Sequence, residues 1–134
     1  MKKLLLIPVV LLLNGCVLLD SYLMARFDAN EYRIISEIRT DAGIYKKDCN
    51  DPLLSRPNAT ALAEKTQLFV NYSEHLPRNS NVITASQQLH DITQGLADSY
   101  TKPRPPSPAF CRIKFETVET SAATMQRIIG NRPR

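Results

Sequence analysis

Nowhere in this 134-residue sequence do 20 apolar residues follow one another, roughly the length a helix needs to cross a bilayer. No cluster of Lys and Arg interleaves with aromatics, and aromatics make up only 7% of the chain, which argues against a nucleic-acid surface. Signatures of catalysis are missing as well: there is no G-x-S-x-G, no P-loop and no H-E-x-x-H. The two histidines, His75 and His90, stand alone and read as surface or cap residues. Neither an enzyme nor a bound cofactor is therefore expected. Three cysteines and these two histidines fall at no metal-ligand spacing, so no metal site is expected. No internal repeat is visible.

What is present begins at the amino terminus. Met1, Lys2 and Lys3 form a positive start, and Leu4 to Leu13 form an apolar run suited to the core of a signal peptide. The following Leu13-Asn14-Gly15-Cys16 resembles the lipobox of bacterial lipoproteins, with Leu at −3 and Gly at −1. That resemblance implies removal of residues 1–15, thioether lipidation of Cys16 and acylation of the new terminus, leaving residues 16–134 as one domain. An ordinary secretory signal with an incidental cysteine is the alternative. A single acyl chain holds a protein to a membrane only marginally, whereas the three chains of bacterial lipoproteins make a lasting anchor. Val17 stands where inner-membrane lipoproteins typically carry Asp, so the expected location is the periplasmic face of the outer membrane.

Loss of Lys2 and Lys3 leaves 15 basic against 13 acidic residues, a net charge of only +2, so the sequence pI near 9.1 overstates the pull toward anions. Arg127, Arg132 and Arg134 make a mildly basic tail that reads as solvated, with lipid headgroups or a partner as the alternative. With Cys16 lipidated, Cys49 and Cys111 remain in an oxidising compartment, where a disulfide is expected in preference to metal binding. Its 62-residue separation would confer about 4 kcal/mol through the entropy of the unfolded chain. Asn58-Ala59-Thr60 and Asn71-Tyr72-Ser73 match the glycosylation sequon by chance in a bacterial chain.

Four amphipathic segments follow. The first runs from about Asp20 to Lys47, with Leu23, Phe27, Ile34, Ile35, Ile38, Ala42 and Tyr45 on one helical face. Pro52 and Pro57 predict a loop over "CNDPLLSRP", and Asn58 an N-cap for the second helix, which carries Leu62, Thr66, Phe69, Val70 and Leu76. A third helix, from around Asn79, presents Val82, Ser86, Leu89, Thr93, Leu96 and Tyr100. "TKPRPPSPAFC" reads as a stiff extended connector. "CRIKFETVET" alternates like a strand, yet Cys111, Phe115, Val118, Ala122, Met125 and Ile129 also align as a helix, and length favours the helix. The expectation is an all-α fold, a small four-helix bundle stapled by a disulfide. In an up-down-up-down arrangement Cys49 and Cys111 fall at the same end.

"AGIYKKDCN", Ala42 to Asn50, is similar to the end of the first helix in type II secretion pilotins of the PulS–OutS kind, and "FCRIKFE" falls where that family places its second bridging cysteine. The shared arrangement covers most of the chain after Cys16. The resemblance implies a lipoprotein chaperone that binds a C-terminal segment of a secretin, which folds into a helix in a groove of the bundle. The lipoprotein-sorting machinery would then carry both to the outer membrane. Ile35, Ile38, Leu89 and Leu96 are the candidate groove residues. A phage- or plasmid-borne exclusion lipoprotein is the rival reading, suggested by the apolar "VLLDSYLMARF" beside the anchor. A passenger-free structural lipoprotein or a lysis component is a third.

Overall fold

The computed structural model describes residues 23–134. The signal peptide, the lipobox with Cys16 and the expected helix start at Asp20 lie outside the described residues. Within them the chain is all-helical: α1 (Ala29–Tyr45), a 3-10 turn (Lys46–Asp48), α2 (Pro52–Glu74), α3 (Ser80–Ser99) and α4 (Pro108–Gly130). Each helix packs on its sequence neighbour, and α4 packs back on α1, which makes an up-down-up-down four-helix bundle. No described helix is long and apolar enough to cross a membrane.

The helix starts follow from local chemistry. Asp28, Asp51 and Ser107 cap α1, α2 and α4, their side chains accepting from the backbone N–H groups of Glu31, Leu53 and Phe110. Pro52 and Pro108 each occupy the first helical position, where a missing N–H costs nothing. The last turns of α1 pass into the 3-10 turn, whose end holds Cys49. Cys49 is bonded to Cys111 in the first turn of α4, with the two Cα atoms 5.7 Å apart.

Two expectations need correction. The loop after Cys49 is a short turn, and α2 begins at Pro52 instead of Asn58. Pro57 lies inside this helix. It deprives the Leu53 carbonyl of its helical donor, but Leu53 is 84% exposed, so water can take that donor's place. Leu23 and Phe27 likewise precede α1 and do not belong to it.

The core follows the expected stripes. Ile34, Ile35, Ile38 and Ala42 of α1 meet Leu62 and Phe69 of α2, Val82, Leu89 and Leu96 of α3, and Phe115, Val118, Ala122 and Ile129 of α4. The segment from Cys111 to Val118 is helical, not a strand. Glycine stands at two close approaches between α1 and α4. A Cβ at Gly43 would lie 3.0 Å from Glu119 Oε1, and one at Gly130 would lie 3.1 Å from the ring of Tyr32. At Gly130 the Tyr32 ring leaves little room for a side chain, whereas the Glu119 carboxylate facing Gly43 is the tip of a flexible side chain that can move aside. The α2–α3 pair is joined instead by buried hydroxyls, Thr66 and Thr93, 2.6 Å apart.

Candidate docking groove and a buried polar clasp

A groove opens where α3 meets α4. Ala85, Gln88, Leu89 and Ile92 of α3 face Thr120, Ser121, Thr124, Met125 and Ile128 of α4 across a groove of about 330 Å³. These positions recur at spacings of three and four on each helix, so each helix contributes a continuous wall. Buried Leu89 and Met125 form the floor, and half-exposed Ile128 and partly buried Ile92 rise at the sides. Small residues keep the seam open: alanine, serine and threonine stand where larger side chains would fill it.

One hydroxyl of this wall, and a second beyond it, are already partnered. Thr124 donates to the Thr120 carbonyl, and Thr117, further along the same face, donates to the Ile113 carbonyl. An apolar occupant can cover them without stripping a hydroxyl of its partner, the usual cost of burying polar atoms. Toward the disulfide end the face continues through Thr117 to Ile113, which is 61% exposed. With α3 20 residues long, the seam offers up to about 30 Å of length.

The four residues expected to line a groove are placed differently. Ile35, Ile38 and Leu96 are fully buried in the core, at the centre of their stripes and facing the bundle axis. Only Leu89 touches the groove, from below. The walls come from positions flanking the stripes, such as Ala85, Ile92, Ser121 and Ile128, and the signal for them was an apolar or small residue one step off the core face. His75 and His90 are not drawn together: His75 contacts the Asn71 carbonyl and His90 contacts Thr66. Among the described residues no group of three His, Cys, Asp or Glu could hold a metal ion.

A second polar feature lies at the end of the bundle where the chain arrives from Cys16. Arg132, expected in a solvated tail, is buried. Its Nη1 donates to Glu31 Oε2 at 2.6 Å and its Nη2 to Asn79 Oδ1 at 2.6 Å. Asn79 Nδ2 donates to Glu31 Oε1 and to the Ser73 carbonyl, and Ser73 Oγ donates to Glu31 Oε1. Thus one carboxylate, one guanidinium, one amide and one hydroxyl, one from each of the four helix ends at this pole, satisfy each other. The tail continues the clasp: the Phe27 N–H donates to the Pro133 carbonyl, and the Arg134 guanidinium lies 5.0 Å over the Phe27 ring. Of the expected basic tail, Arg127 is exposed on the last turn of α4.

The described residues therefore define a disulfide-stapled helical bundle with one open, apolar-floored seam. Compared with known proteins, the chain matches no family model, no curated protein and no solved structure.

Proposed function

We propose that this protein is a lipid-anchored chaperone of the pilotin type, which receives an amphipathic helix from the C-terminal part of a secretin in the seam between α3 and α4. The observation that carries the reading is that seam: an apolar floor between walls of small residues is what a helix laid into a groove requires. The lipobox around Cys16, the Cys49–Cys111 pairing and the four-helix order fit the same reading. A lasting anchor joined to a reversible helix site would deliver to the outer membrane a subunit that has no anchor of its own.

Capture from detergent-solubilised membranes of the native host tests it directly. A secretin should co-purify with the wild-type protein and be lost when Ile92 and Ile128 are both changed to Asp. Recovery of an outer-membrane receptor in its place would favour the exclusion reading, and recovery of neither would remove the pilotin reading.

A further inference from the structure

Around the buried clasp, the end of the bundle where the described residues begin carries a mixed basic and apolar rim. Leu23 is 64% and Met24 48% exposed, and together with Arg78, Ser80, Asn81, Ile128 and Arg132 they border one shallow depression. Arg26 is exposed beside them, Arg134 is stacked on Phe27, and Arg127 is exposed one turn up α4. The acids at this end are few, and two of them are engaged. Asp28 caps α1 and accepts from Tyr72, and Glu31 is buried against Arg132, leaving exposed Glu74 at the end of α2. The surface therefore presents guanidinium groups around two protruding apolar side chains.

We propose that this rim, formed by Leu23, Met24, Arg26, Arg127 and Arg134, docks on an anionic lipid surface and holds the bundle upright on the membrane. Three observations select that partner. Leu23 stands only seven positions after Cys16, so an extended tether reaches at most about 25 Å and keeps this end close to the headgroups. The rim charge complements phosphate, which guanidinium groups bind in a fork geometry. Apolar side chains next to arginines match the layered chemistry of a bilayer interface, hydrocarbon below and anions above. The proposal rests on the lipid anchor for its geometry, and it goes beyond it. A bare tether would leave the domain free to tumble, whereas a docked rim fixes which end faces the bilayer. The groove shares Ile128 with this depression, so it would open toward the membrane at one end.

The test uses lipidated protein purified from its host and reconstituted into vesicles of phosphatidylcholine, with or without about a third phosphatidylglycerol. Amide exchange is then followed by mass spectrometry. The anchor inserts into both kinds of vesicle, so only docking responds to the anionic lipid. Exchange over residues 23–28, 76–82 and 127–134 is expected to slow in the anionic vesicles, on the order of fivefold for each engaged arginine. The effect should vanish in high salt and in the double variant Arg26→Ser/Arg127→Ser. Arg56→Ser/Arg104→Ser, at the opposite end, should leave it intact. Equal exchange in both vesicles, or protection centred on residues 50–58 and 101–107, overturns the proposal. If Cys16 proves to carry no lipid, the anchor reading fails by itself. The same unlipidated protein is then sedimented with anionic vesicles, and failure to pellet overturns the docking rim too.

Discussion

Arg132 Nη1 and Glu31 Oε2 stand 2.6 Å apart with their side chains 5% and 0% exposed, an ion pair spanning 101 positions of sequence. Removing water from two charges is expensive, and their attraction offsets that only while both are present and every lone pair is satisfied. Asn79 and Ser73 provide the remaining hydrogen bonds. Arg132→Met should therefore destabilise the protein by about 3–5 kcal/mol, because a buried carboxylate is left uncompensated. Glu31→Leu/Arg132→Met should recover most of the loss. Urea denaturation of the single and double variants measures both effects; additive losses would contradict the pairing.

The disulfide makes a separate demand. Cys49 and Cys111 close a 62-residue separation, which the chain-entropy argument values at about 4 kcal/mol. Cys49→Ser/Cys111→Ser, or reduction of the wild type, should lower the stability by about that amount while the helical circular dichroism survives in the folded fraction.

Groove and core can be told apart by a pair of substitutions. Leu96 is 1% exposed and should cost about 2–5 kcal/mol when cut to Ala. Ile128 is 49% exposed, so Ile128→Asp should move stability by no more than about 0.5–1 kcal/mol. If the seam is the helix site, Ile128→Asp nevertheless abolishes secretin capture, whereas Leu96→Ala retains capture by whatever fraction remains folded. Melting curves run beside the capture assay separate the two.

Alkaline pH should weaken the fold. Burial works against the charge on Lys65, but the hydrogen bond and attraction of Asp41, with help from Glu37, hold its pKa above the usual lysine value. Burial, reinforced by Asp41, raises Tyr45 above the usual phenol value, although Lys65 opposes this. Both groups keep their protons longer in the folded chain than in the unfolded one. Their contribution is complete below about pH 10 and declines as the pH rises through the folded-state values. Urea midpoints should be level from pH 8 to pH 9, fall above pH 10, and fall less steeply in Lys65→Met.

The parts of this fold that could be read from sequence are those written in local periodicity. Val82, Ser86, Leu89, Thr93 and Leu96 bury one face of α3 at the spacing the sequence shows, and Cys111 through Ile129 do so for α4. Pro57 misled because a proline's cost depends on whether the carbonyl one turn earlier faces water, which the sequence does not state. Arg132 was unreadable for another reason. Its partner lies 101 residues away, and a basic residue two positions from the end of the sequence looks like any solvated tail. Of the groove candidates Ile35, Ile38, Leu89 and Leu96, only Leu89 borders the α3–α4 seam, because the openness of a seam depends on the spacing between two helices. No pattern within α3 or α4 alone records that spacing.

Covalent and ionic fastenings sit at opposite ends of the same two helices. Cys49–Cys111 secures α1 to α4 at one end, and Arg132 secures the end of α4 to Glu31 at the other, drawing in the α2–α3 turn through Asn79. The α1–α4 pair is thus fastened at both poles, and α2 is tied to α1 as well, by Lys65 with Asp41 and by Asn58 with Asp48. Widening the seam for a large occupant would then part α3 from α4 toward residues 101–107, away from the clasp. Spin labels at Gln94 and Thr117 should part on loading, and labels at Asn81 and Asn131 should keep their distance.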